Sequence, residues 1–476
     1  MLLDVSEAGD SSETVRIFAT HDCTICDFAA LKELLCSMGQ SGLKPCPKCS
    51  NIVKDDLALC DLLPLSSLEY TRWKKHTDQS LRDIQSHMRR ERTRITKTAF
   101  GELETRMGFH FSEHAVVNDT ALNYRSISTL NFDWVHIYFS SGLFTREIEA
   151  FVAKARELAG KGKPALVSYA DLHDYLQLWH VPACWASCKT IFVKGSMAAT
   201  ASEQLSAAPL LRNFFENVVM REPSLSQLHE AARSAALVCA AVEKLQCATR
   251  KLVGRPELRQ AICDHLARHQ RVHGTEWWTL KDHLALHLPD QEELFDTFVT
   301  ERRHKDPKRF ARLALRTSMK GYNKGLMEEL VCQHFHDWNQ FRPEDALVAP
   351  HAVPKRLQGP LRDIFPTAYN IQISQQFRGA DGRKIHAGDV ALLGAARGHS
   401  CCKIWYHVNV DGVPWTCLEL WPLQGAIGPR CKKYRVETAA TILPSTDIKA
   451  SVSYMLEGEF AIVRLPLYYM YKESLI

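Results

Sequence analysis

The stretch Cys401-Cys402-Lys403-Ile404-Trp405-Tyr406-His407-Val408-Asn409-Val410-Asp411-Gly412-Val413-Pro414-Trp415-Thr416-Cys417-Leu418-Glu419-Leu420-Trp421 decides the character of the carboxy-terminal third. Two runs rich in β-branched and aromatic residues flank Asp411-Gly412, a dipeptide suited to the positive φ angles of a two-residue hairpin turn. The predicted pairing sets Trp405 and His407 against residues near Trp415 and Cys417. Upstream, Asp389-Val390-Ala391-Leu392-Leu393 is another short apolar run, and Pro343, Pro350, Pro354, Pro360 and Pro366 mark a linker. Residues 343–476 therefore read as a linker followed by a small all-β domain, a barrel or a sandwich, separate from what precedes it.

Before the linker the periodicity is mostly helical. From about Thr145 to Arg268 apolar residues recur every three or four positions, with breaks at Gly160-Lys161-Gly162-Lys163-Pro164 and Gly254-Arg255-Pro256. Ser80 to about Met107 reads as one helix through Leu81, Ile84, Met88, Ile95 and Phe100, and Phe28 to Ser37 as another. Val15 to Thr20 and Phe132 to Phe139 read as strands. The overall class is α+β, divided as 1–144, a helical insertion at 145–275, a basic segment at 276–342, and 343–476. A length of 476 residues fits about three domains, and 46% apolar with 24% charged residues excludes a disordered or low-complexity chain. No apolar run reaches membrane-spanning length and the first residues lack a signal-peptide pattern, so a soluble, intracellular protein with no membrane partner is expected. The net charge of +5 is too mild to name a partner, and nothing sets the oligomeric state.

Six of the 16 cysteines fall in the first 60 residues, and the pairs Cys23/Cys26 and Cys46/Cys49 have zinc-ribbon spacing. Cys46-Pro47-Lys48-Cys49 follows Gly39, Gly42 and Pro45 and reads as a tight knuckle that aims two sulfurs at one centre, so zinc is expected there. Either Cys23 and Cys26, or Cys60 and His76, could complete the tetrahedron; a vestigial site without metal is the plain alternative. His283 and His287 share a helix face at i and i+4, but no H-E-x-x-H glutamate lies between them, and packing is the favoured reading. Cys184 and Cys188 read as packing residues.

Between Glu301 and Gly325 nine Lys and Arg face two acids. Arg302, Arg303, Lys305, Lys308, Arg309, Arg312, Arg316 and Lys320 form a basic stripe suited to phosphate backbones, or simply a solvated face. Nothing in it encodes sequence readout.

Four motifs then stand in order: Asp27-Phe28-Ala29-Ala30, Cys46-Pro47-Lys48-Cys49, Asp133-Trp134-Val135-His136 followed by Gly142, and Glu301-Arg302 on the basic segment. This order resembles the catalytic domain of CACTA (En/Spm-type) and related KDZ transposases, and transposon-derived proteins of dinoflagellate genomes. The resemblance covers residues 20–110, 130–145 and 275–335 and lacks the proline of the family's D-x-P-A. It implies a truncated RNase H-like domain in which carboxylates hold two magnesium or manganese ions for strand cleavage. It assigns catalytic roles to Asp27 and Glu301, with Asp133 and His136 as the accessory motif. The alternatives are a helix cap for Asp27 and structural roles for Asp133 and His136. The family's first carboxylate lies well upstream of D-x-P-A, and no aspartate before Asp27 sits in a convincing strand. The expectation is therefore a nuclear, transposase-derived DNA-binding protein without strand-transfer activity. The rivals are an active metal-dependent nuclease or transposase and a non-enzymatic zinc-containing interaction module.

Overall fold

The computed structural model describes residues 2–4, 14–16, 23–26, 28–58, 61–119, 124–193, 195–295, 345–394, 400–428 and 430–474. In chain order the elements are β1 (Leu2–Asp4), β2 (Thr14–Arg16), β3 (Thr24–Cys26), α1 (Phe28–Leu35), β4 (Ile52–Val53), β5 (Leu63–Pro64), α2 (Asp78–Glu91), α3 (Lys97–Met107), β6 (Leu130–Phe132) and α4 (Trp134–Tyr138). Then come α5 (Leu143–Ala159), α6 (Tyr169–Gln177), β7 (Phe192–Val193), β8 (Ser196–Met197), α7 (Ala201–Asn217), α8 (His229–Thr249), α9 (Arg255–His273) and α10 (Leu280–Ala285). The carboxy-terminal part holds β9 (Ala346–Val348), β10 (His351–Ala352), α11 (Lys355–Ile364), β11 (Ile371–Ser374), β12 (Gln376–Arg378), β13 (Lys384–His386), β14 (Val390–Leu393), β15 (Cys401–Val410) and β16 (Val413–Trp421). It continues with β17 (Leu423–Gly428), β18 (Cys431–Arg435), β19 (Ala440–Pro444), β20 (Ile448–Glu457), β21 (Phe460–Arg464) and α12 (Leu467–Ser474). The chain forms two compact units, Met1–Ile137 with Trp278–Phe295, and Tyr138–Trp277 with Asp296–Ile476.

In the first unit β3 pairs in parallel with β6, joining segments a hundred residues apart. The helix predicted over Ser80–Met107 is two helices. Residues 92–96 interrupt it and Thr96 caps α3 by accepting from the Ala99 amide, while Thr77 closes a capping box on α2. Leu81, Met88, Leu103 and Phe109 form the core beneath them. The strand predicted over Phe132–Phe139 stops at Phe132, because Asp133 Oδ1 accepts the Val135 amide and starts α4.

The second unit pairs a helical bundle with a ten-stranded antiparallel sheet. The bundle comprises α5 to α9, with α8 packed on α5, α7 and α9. The predicted breaks hold: Gly160 ends α5 with φ +88°, and Gly254 with Pro256 starts α9. The sheet runs β10-β11-β15-β14-β20-β21-β18-β17, with β16 beside β15 and β19 beside β16. The Asp411-Gly412 hairpin forms as predicted, with φ +51° and +92° at its tip and His407 opposite Thr416. A bulge between Ile404 and Tyr406 takes Trp405 out of the ladder.

Both faces of this sheet are buried along β14. Val390 and Leu392 enter a cluster with Trp421, Tyr434, Val452 and Val463. Ala391 and Leu393 enter another with Phe377, Ile404, Leu418 and Ile448. This explains the continuous rather than alternating apolar run there. The carboxy-terminal region is thus β-rich but carries two helices, α11 and α12.

Candidate metal centre

Within the first unit a short turn brings Cys46 and Cys49 together, the Cys49 amide donating to the Cys46 carbonyl at 3.4 Å. Backbone bonds hold this knuckle on the adjoining strand-like segment: Ser50 N to Lys74 O at 2.8 Å and His76 N to Lys48 O at 2.8 Å. Behind it lies Gly108, in the left-handed region at φ +82°, where a Cβ would come within 2.4 Å of the Lys44 carbonyl. Only glycine lets the end of α3 approach so closely.

The other half comes from α10, which carries His283, and from the turn just after it, which carries His287. Thr279 and Asp282 form the capping box of α10, which fixes where the helix begins and thus which way His283 projects. Gln291 pins the following turn to β6, its side chain accepting from and donating to the Phe132 backbone at 2.5 and 3.2 Å. Trp73 packs against both imidazoles, with ring centroids 4.3 and 4.9 Å away.

The result is a buried Cys2His2 cluster of Cys46, Cys49, His283 and His287. His287 Nε2 lies 3.4 Å from Cys46 Sγ, 3.3 Å from Cys49 Sγ and 3.2 Å from His283 Nε2. A tetrahedral zinc ion with bonds of about 2.3 Å to sulfur and about 2.0 Å to nitrogen would set such edges at roughly 3.3–3.6 Å. Hydrogen bonding alone cannot satisfy this set. One imidazole nitrogen offers a single proton or a single lone pair, yet Nε2 of His287 faces three polar atoms. Water is excluded, since none of the four residues exceeds 1% exposure. The cluster is compatible with zinc binding.

The electrostatics agree with that donor set. Burial opposes ionisation of Cys46, but the neighbouring Cys49 thiol and the imidazoles of His283 and His287 outweigh it and hold Cys46 well below the usual thiol value. Burial and the Cys46 charge push Cys49 well above it. Burial also lowers His287, keeping it in the neutral form a metal requires. Lys48, inside the knuckle, is pushed down to about 8 by burial and sits 5.2 Å from the Phe132 ring centroid.

The other sequence-predicted residues fall elsewhere. His76 is not one of the four; its Nδ1 meets Ser80 Oγ at 3.2 Å and its ring stands edge-on to Phe109. Cys60, Asp27, Glu301 and the basic residues Arg302, Arg303, Lys305, Lys308, Arg309, Arg312, Arg316 and Lys320 lie outside the described residues. Asp133 and His136 bond to each other through Oδ2 and Nδ1 and, with Phe28, Phe132, Lys281 and Leu284, line a small cavity. Among the described residues two groups could share one ion, this cluster and one in the second unit, and neither includes Asp133. The sequence favours packing for these histidines because no H-E-x-x-H glutamate lies between them, and the 238 residues from Cys49 to His287 hide the pairing. The signal was present in the i, i+4 spacing, but ligands were sought near the cysteines.

No helix among the described residues is long and apolar enough to cross a membrane. Comparison of the chain with protein-family models, with curated proteins and with solved structures gave no match.

Proposed function

We propose that the first unit is organised by a structural zinc ion on Cys46, Cys49, His283 and His287, and that the chain is a transposase-derived DNA-binding protein without strand-transfer activity. The observation that carries the zinc assignment is the single nitrogen, His287 Nε2, set 3.2–3.4 Å from three other metal-binding atoms in a dry interior. All four ligands come from the protein, which leaves no open position for water or substrate; such a centre stabilises rather than catalyses. It joins the knuckle, near the start of the chain, to α10, just ahead of the basic segment. What supports the ancestry is the motif order, including the C-P-x-C knuckle and the Glu301-Arg302 segment. What supports DNA as partner is the density of Lys and Arg from 302 to 324, which suits phosphate contacts at many sequences.

The purified chain should carry zinc that Cys46→Ser and His283→Ala each remove, with loss of cooperative melting of the first unit. Retention of zinc and an unchanged melt in both variants would refute the centre. For DNA, four phosphate contacts predict a log–log salt slope of about −3 to −4, reduced by about 2 when Arg312 and Arg316 become Ala. Absence of duplex binding at low salt would leave a zinc-stabilised interaction module. Magnesium- or manganese-dependent nicking that Glu301→Gln abolishes would instead favour the nuclease reading.

A further inference from the structure

A second set of metal-binding side chains lies in the second unit. His265, His269 and His273 recur every fourth residue on α9, which places them along one face, with successive ring centroids 6.2 and 5.1 Å apart. That face meets Glu147, in the second turn of α5. The carboxylate is fully buried, and the three imidazole side chains are no more than 4% exposed.

Hydrogen bonding accounts for half of the carboxylate. Oε2 receives His265 Nε2 at 3.0 Å and His269 Nδ1 at 2.5 Å. The other half is left over. Oε1 and His273 Nε2 face each other at 3.5 Å, both are buried, and neither makes a hydrogen bond; His269 Nε2 is buried and unbonded as well. An unbonded oxygen and nitrogen in a dry interior are costly. Their separation is what an ion bound to both at about 2.0–2.2 Å would produce.

We infer that Glu147, His269 and His273 form a second site for a divalent first-row metal ion, with His265 as a positioning residue that holds the carboxylate through Oε2. A ligand atom from each of the three lies within 4.8 Å of the others. The donor set is two imidazoles and one carboxylate with no sulfur, which suits zinc, ferrous or manganous ions and is chemically distinct from a Cys2His2 centre. Burial on all sides makes the ion a clamp between α5 and α9 rather than a centre that meets substrate.

The test uses the full chain, stripped with a chelator and titrated with Co²⁺ followed by visible absorption. Two equivalents should bind, one giving intense thiolate-to-cobalt absorption and the other only weak ligand-field bands, since it has no sulfur. Cys46→Ser should abolish the first signal and keep the second; Glu147→Gln and His273→Asn should do the reverse and lower the stoichiometry from two to one. His265→Gln should weaken the second site without abolishing it. If either second-site variant fails to fold, the titration of the unaltered chain decides alone. A single equivalent, with thiolate absorption only, would overturn the second site and leave a hydrogen-bonded carboxylate–imidazole network. Absence of thiolate absorption from the unaltered chain, with the sulfur-free bands present, would refute the zinc centre and leave this inference standing.

Discussion

Replacing Glu243 with Gln tests whether one carboxylate holds together the helices and the sheet of the second unit. Glu243, on α8, is buried and receives three guanidinium groups: Arg212 from α7 at 2.7 Å, Arg464 from β21 at 3.3 Å, and Arg430 from the turn before β18. Arg464 is itself only 3% exposed. Glu243→Gln keeps the shape but leaves these cations without their shared counter-charge. Breaking a buried ion pair from one side costs about 3–5 kcal/mol, and in a domain of this size each kcal/mol moves the melting temperature by about 2–4 °C. A fall of about 10 °C at pH 7 is expected by calorimetry. The pH dependence supplies a second check. Burial would raise the Glu243 pKa, but Arg464, Arg212 and Arg430 together outweigh it and hold the carboxyl below the usual glutamate value. A depressed folded pKa stabilises at neutral pH, and that contribution is lost as pH falls through it. The gap between the native chain and Glu243→Gln should therefore close on acidification below the ordinary glutamate range. A variant that melts within 1–2 °C of the native chain at pH 7, or a gap indifferent to pH, would refute the reasoning.

Three further outcomes follow from single positions. Gly108→Ala should displace Lys44 and the adjoining knuckle, costing at least about 1–2 kcal/mol from the positive φ alone, and should speed zinc loss to a chelator. His407, buried and bonded to Thr416 at 2.9 Å, has its pKa lowered to about 4 by burial, so unfolding takes up a proton below the usual imidazole value. As pH falls from about 6.5 to 4, the second unit should lose about 3 kcal/mol of stability in urea titrations, a slope that His407→Gln should flatten. Gly412→Val places a β-branched residue at φ +92° with no steric contact nearby, so a loss of about 1–2 kcal/mol should appear without any change in the sheet's spectrum.

What the sequence made legible was local. The Asp411-Gly412 turn fixes its register through two residues, and the glycine and proline breaks at 160–164 and 254–256 punctuate the bundle correctly. The cysteine knuckle was equally plain, because a C-x-x-C pair writes half a metal site into four positions. Caps were the weak point. Asp133 and Thr96 each turn the chain within one residue, and an apolar run that continues past them conceals the change from strand to helix or from one helix to the next. Long-range closure was invisible in kind. Nothing near Cys49 specifies His287, and nothing near Glu147 specifies the α9 face; only the folded backbone brings them together. Along β14 the run is apolar without alternation, since a strand covered on both faces has no polar side to betray its period.

The separation of 238 residues between Cys49 and His287 has a consequence for synthesis. At about 5–20 residues per second, roughly ten to fifty seconds pass between emergence of the knuckle and arrival of the histidines that complete it. During that interval the nascent chain presents a bare dithiol, able to take up a metal weakly or to oxidise. The first unit cannot finish folding in order of emergence. A ribosome stalled within the intervening bundle would leave an incomplete chelate, and premature termination before His283 would release a product whose two thiols never find their partners.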